Sequence, residues 1–185
     1  MFAALKSIRM KKIILLNGLI AGAIVSAMLL ITQYIFRVNN TTLDYGMLIG
    51  FSTMIISLSL IFVAIKSYRD QHQNGIITFG KAFQIGILIA IITSLMYATT
   101  WEIYFNTAGS DFVEWYSKAQ LDKMVEEGAG EAEVNEMKTS LEQLATIYQN
   151  PLMRFSMTLL EIFPVGLIIT LISAGLLRKK EIVQA

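Results

Sequence analysis

Four stretches of the chain are apolar almost without interruption: Ile13–Phe36, Tyr45–Ile65, Ala82–Phe105 and Leu152–Leu177. Crossing the hydrocarbon core of a bilayer takes about 20 helical residues. Each stretch is too long for an ordinary buried helix, and none alternates as a barrel strand does. The pattern predicts four transmembrane helices. Between the third and fourth the period changes. Phe112, Trp115, Tyr116, Ala119 and Met124 recur at helical spacing, and Gly128-Ala129-Gly130 then interrupts the chain. Val134, Met137, Leu141, Leu144 and Tyr148 follow at alternating steps of three and four, the stripe of a helix packed on another helix. The segment 106–151 therefore predicts a helical hairpin. Asn150-Pro151 ends it, because a residue before proline avoids the helical region and proline suits the first turn of the next helix.

Composition agrees with a membrane protein. Of the 185 residues, 55% are hydrophobic and 16% charged, against roughly 25% charged in soluble domains. Net charge is +1 with the basic residues scattered, so no basic, aromatic-laced face of the kind that binds nucleic acid is expected. Cysteine is absent, which removes disulfides, thiolate metal sites and thiol nucleophiles. His72, the single histidine, reads as a solvated residue of a polar connection, since one imidazole without neighbouring ligands makes no metal site.

The basic residues also orient the chain, because Lys and Arg in short connections stay cytoplasmic. Lys6, Arg9, Lys11 and Lys12 precede the first span, Lys66, Arg69 and Lys81 sit in the second connection, and Arg178, Lys179 and Lys180 follow the fourth span. The intervening connections hold Arg37 alone, and Lys118, Lys123 and Lys138 against nine acids. Both termini are thus expected in the cytoplasm and the hairpin outside. The first apolar run exceeds a signal-peptide core of roughly 7–15 residues. It reads as an uncleaved span, with Met1–Arg9 as a short cytoplasmic lead.

Small residues recur four apart in every span: Gly18, Gly22 and Ser26; Gly46 and Gly50; Gly86, Ala90, Ser94 and Ala98; Gly166, Thr170 and Ala174. Lipid is as apolar as leucine, so close backbone approach through such residues holds helices together in a bilayer. Packing within the bundle is the expected use, and homo-oligomerisation the alternative.

The fourth span carries Glu161 and Pro164 within an apolar run. Counted inward from the predicted outer boundary, Ser26, Ser52, Thr53, Thr93, Ser94 and Tyr97 lie at the depth of Glu161. Gln33, Glu102 and Arg154 lie nearer the surface, with Trp101 and Tyr104 in the interfacial aromatic belt and Arg154 able to snorkel to water. An intramembrane carboxylate is costly without partners, so hydroxyl donors such as Tyr97 are expected to hold it. Pro164 removes a backbone donor and frees the Leu160 carbonyl, which predicts a kink beside the glutamate. Glu161, Tyr97, Ser94, Thr93, Ser52, Thr53 and Glu102 form the candidate polar site, either as a clamp on a kinked helix or as the core of an ion or proton path.

Two segments, "YRDQHQNGIITFGKAFQIGILIA" (Tyr68 to Ala90) and "LLEIFPVGLIITLISAGLLRKK" (Leu159 to Lys180), carry a resemblance. The chain from Met10 onward resembles a bacterial family of four-helix membrane proteins, domain of unknown function four-one-nine-nine. The resemblance implies four spans and a bacterial inner membrane, and it supplies no activity, cofactor or catalytic residue. "GIITFGK" (Gly75 to Lys81) has two glycines and a lysine without Walker spacing, and reads as the turn that starts the third helix. No serine–histidine–acid set, acid pair or ligand cluster occurs, so neither an enzyme nor a cofactor is expected. The expectation is an all-α integral inner-membrane protein, a single unit over residues 1–185, structural or accessory in role. Its partners are the lipid bilayer and, through the hairpin, a membrane or periplasmic protein or a second copy. The alternative is a small proton- or ion-coupled transporter or channel centred on Glu161; a membrane enzyme trails both.

Overall fold

A computed structural model describes the backbone of residues 2–39 and 44–179. Among the described residues there are seven helices: α1 (Phe2–Asn39), α2 (Asp44–Leu58), α3 (Leu60–His72), α4 (Phe79–Thr107), α5 (Phe112–Glu126), α6 (Glu131–Tyr148) and α7 (Pro151–Leu177). Four segments are long and apolar enough to cross a membrane: Ile8–Arg37, Leu48–His72, Phe79–Thr107 and Pro151–Leu177. Their outward faces display Leu15, Leu19, Ile31, Ile56, Leu95, Leu160, Ile172 and Leu176 to the surroundings. Apolar exposure on that scale suits lipid rather than water. The chain is a bundle of four membrane-spanning helices with a helical hairpin at one end.

α4 is the hub, packed along α1 on one side and α7 on the other. It runs parallel to α1, Gly18 lying against Ile92 and Gly22 against Met96, with the Thr100 hydroxyl donating to Ser26 Oγ at 3.0 Å. It runs antiparallel to α7, where Gly86 faces Thr170 and Gly166 faces Ala90. The small-residue ladders of the first, third and fourth spans therefore serve packing within the bundle. The ladder of the second span departs from this. A Cβ on Gly50 would meet nothing within 4 Å, and the surroundings of Gly46 fall outside the described residues.

The second span divides into α2 and α3 at Ser59, whose own backbone stays helical at φ −60°, ψ −20°. α7 stays helical through Pro164, whose ring lies on its exposed side. At Ser59 the hydroxyl donates to the Ile56 carbonyl at 2.6 Å, while the amide is shared between Ile55 O (2.9 Å) and Ile56 O (3.3 Å). A serine that bonds back to the preceding turn competes with the helical ladder. The two halves pack differently: α3 lies against α4, with Ile61 beside Gly86, whereas α2 packs chiefly on α1 and α7.

Both hairpin turns have local causes. Gly128 takes φ 78°, and the amides of Gly128 and Ala129 bond to Val125 O (3.1 Å) and Met124 O (3.0 Å). This is the Schellman closure that a left-handed glycine permits. Glu133 Oε2 accepts from the Gly130 amide at 3.2 Å at the start of α6. Asn150, extended at φ −92°, ψ 112°, caps α7 by accepting from Leu152 N at 3.0 Å, with Pro151 in the first turn. The stripe of α6 turns inward as expected, Leu141 being buried and Val134, Met137, Leu144 and Tyr148 partly so.

At the opposite end, Asn74 and Gly75 adopt positive φ, Ile77 O accepts from Lys179 N at 2.9 Å, and Thr78 caps α4 by accepting from Lys81 N at 3.4 Å. "GIITFGK" is thus a turn and helix start, as its spacing implied. His72 sits in the last turn of α3 rather than in a loop, edge-on to the Tyr68 ring at 5.8 Å.

Candidate functional site

Where α2 diverges from α4, the hairpin half of the bundle holds a cavity of ≈ 370 Å³. α1 contributes Val25 to Phe36 positions including Gln33, α2 contributes Gly50, Phe51, Thr53 and Met54, and α4 contributes Tyr97 and Trp101. Thr158 and Glu161 line it from α7; α5 and the end of α6 bring Phe112, Trp115, Tyr116, Gln120 and Tyr148 from the hairpin. Gly50 keeps this space open, because any larger side chain there would project into it.

Among the described residues that line the cavity, Glu161 is the sole carboxylate and none is Lys, Arg or His. Its side chain remains accessible rather than sealed between helices, and Tyr97 lines the same cavity. Tyr97 itself is 8% exposed. Tyr148, at the hairpin, has its phenol pushed up to about 12 by burial first and by the Glu161 carboxylate second, so it remains a protonated donor. Gln33 Oε1 and Trp101 Nε1 are buried with no hydrogen-bond partner among the described residues. A closed cavity wall rarely leaves such groups unmet.

The candidate polar residues thus divide. Glu161, Tyr97 and Thr53 meet at the cavity, although the Thr53 hydroxyl bonds back to Ile49 O at 2.8 Å. Thr93 stitches α4 to α1 by donating to Gly18 O at 3.3 Å. Ser94 is buried without a partner, and Ser52 faces outward. Glu102 belongs elsewhere. It accepts from Arg154 Nε at 2.7 Å and Nη2 at 2.6 Å, and Arg154 Nη1 donates to Tyr148 O at 2.7 Å. Arg154 is 3% exposed, with its guanidinium 3.9 Å over the Phe105 ring. It does not snorkel to water, because a bidentate carboxylate, a carbonyl and a ring already satisfy its fork. Trp101 also departs from its expected interfacial place: it packs inward, edge-on to Phe112 at 4.8 Å.

The hairpin is tied down beside the cavity. Arg37, at the end of α1, donates to Asp111 through two bonds of 3.0 and 2.7 Å, and Phe112 stacks with Tyr116 and Tyr148. Gly50, Gln33 and the α5 aromatics were not predicted as site residues. The signal was present in an aromatic-rich first half of the hairpin and a glycine without a packing partner, but only the packing of α1, α2, α4 and α7 with the hairpin brings them together.

Residues 16–179 match the family model described as "Protein of unknown function (DUF4199)". The chain belongs to this family. The match covers the first segment that carried the resemblance and all but Lys180 of the second, and the family supplies no activity. Neither the curated proteins nor the solved structures contain a significant match to the chain. Members of DUF4199 are thus to be read from their own chemistry, and here that chemistry concentrates at Glu161. No group of three or more His, Asp or Glu residues able to hold a metal occurs among the described residues.

Proposed function

We propose that this DUF4199 protein is a multi-pass protein of the bacterial inner membrane that acts as a small proton- or ion-coupled transporter, with the cavity at Glu161 as its binding site. The observation that carries this reading is the accessibility of Glu161 on a cavity wall, since a carboxylate serving only to clamp helices would be packed between them. The orientation rests on charge. Ten of the fifteen basic residues lie at the end bearing the termini, which favours cytoplasmic termini and an extracytoplasmic hairpin.

The accessory reading, in which the hairpin awaits a partner, has less support. The α6 stripe that motivated it is partly covered within the chain, where α6 packs on α5 and α7. The test is proton flux in reconstituted vesicles holding a pH-sensitive dye, under imposed gradients of sodium, potassium and organic cations. Flux in the parent that Glu161→Gln abolishes, with an unchanged melting temperature in detergent, supports the carrier. A parent silent under every gradient overturns it.

A further inference from the structure

The chemistry of the cavity walls narrows the ligand class beyond an unspecified proton or ion, and this inference rests on the reading of Glu161 as a binding group. We infer that the cavity binds lipophilic organic cations, with Glu161 as the counter-charge and the hairpin aromatics as the surface that holds the ligand's apolar body.

Charge is the first ground. Among its described lining residues the cavity has one carboxylate and no basic residue. The guanidiniums of Arg37 and Arg154 are each engaged by another acid, Arg37 by Asp111 and Arg154 by Glu102. Among the described residues, none therefore supplies Glu161 with a compensating cation inside the cavity. An anionic ligand would meet a bare carboxylate with nothing to balance it. A phospholipid headgroup brings a phosphate as well as an ammonium, and the walls offer the phosphate no cation.

Aromatic chemistry is the second. Phe36, Phe51, Trp101, Trp115, Tyr116 and Tyr148 line the cavity, and ring faces attract cations by their quadrupole, most strongly where water is excluded. A bare metal ion needs a shell of oxygens that one carboxylate cannot supply. An organic cation brings its own apolar cover. The third ground is size and unmet polarity. A volume of ≈ 370 Å³ falls in the range of roughly 300–1,000 Å³ used by small-molecule sites. Gln33 Oε1 also leaves a buried acceptor unused at the wall, which a ligand N–H can meet.

Both tryptophans of the chain, Trp101 and Trp115, line this cavity, so intrinsic fluorescence reports its occupancy without a label. The purified protein in detergent is titrated with tetraphenylphosphonium and, separately, with tetraphenylborate, which has the same shape and the opposite charge. Saturable binding of the cation is expected, with no saturable response to the anion. Glu161→Gln should weaken cation binding by about tenfold or more, the effect of losing one charge partner in an apolar site. Gly50→Leu, which fills the cavity from α2 without touching the carboxyl, should abolish it while the protein melts as the parent does. Equal binding of both ions, or equal binding by parent and Gly50→Leu, would overturn the inference. Absent cation binding alongside Glu161-dependent flux under sodium or potassium would overturn it too, and leave the carrier standing. Saturable, charge-selective binding in a parent without flux would uphold the ligand class and remove the carrier.

Discussion

Arg154 and Glu102 face each other across α7 and α4 through paired hydrogen bonds of 2.7 and 2.6 Å, with Arg154 almost wholly buried. This pair holds the hairpin end of the bundle closed just beyond the cavity. The partner left behind by a single truncation is a buried, uncompensated charge, and such breaks cost about 3–5 kcal/mol in proteins. Arg154→Leu should therefore lower the melting temperature in detergent sharply, and the double variant Arg154→Leu/Glu102→Leu should recover most of the loss. A double variant no more stable than the single would show that the pair is not the main contact at this position.

The α4–α7 seam depends on glycine. A Cβ on Gly86 would lie 2.7 Å from Thr170 Cγ2 and 3.0 Å from Ile61 Cγ2, so Gly86→Ala must push helices apart. A loss of about 1–3 kcal/mol is expected for such overpacking. Gly50→Ala has open space and should melt at or slightly above the parent, given alanine's better helix propensity. Thermal melts of the two variants side by side check the contrast.

The link between Arg37 and Asp111 predicts an acid response. The Arg37 guanidinium holds the Asp111 carboxyl below its usual range, so its contribution is complete above the unfolded value of about 3.9 and is lost as pH falls through the lower folded value. Docking of α5 should be constant from neutral pH down to about 5 and loosen only in stronger acid. Because the pair is partly exposed, the effect is modest, at most about 1 kcal/mol. Asp111→Asn should give at neutral pH the tryptophan emission that the parent gives only in acid.

Sidedness is checked by single cysteines at Gln73 and Ser117, one in the connection before α4 and one on α5. In intact spheroplasts, an impermeant thiol reagent should reach Ser117→Cys and spare Gln73→Cys until the membrane is opened. The reverse pattern would invert the orientation.

Sequence by itself determined the four spans, the hairpin with its glycine break, the Asn150-Pro151 boundary and the intramembrane position of Glu161. Each follows from local periodicity, hydropathy or backbone chemistry, which neighbouring residues settle among themselves. The partners of polar groups depended on tertiary structure. The candidate polar site grouped Glu102 with Glu161, but the structure pairs Glu102 with Arg154 and leaves Glu161 on a cavity wall. The second span divides at Ser59, and its α2 half packs on α1 and α7 while its α3 half packs on α4. That difference in packing leaves the space at Gly50 and gives the α5 aromatics their place in it. A cavity is a property of how helices diverge, and divergence arises from side chains distant in sequence meeting at a seam, which no local pattern along one helix contains.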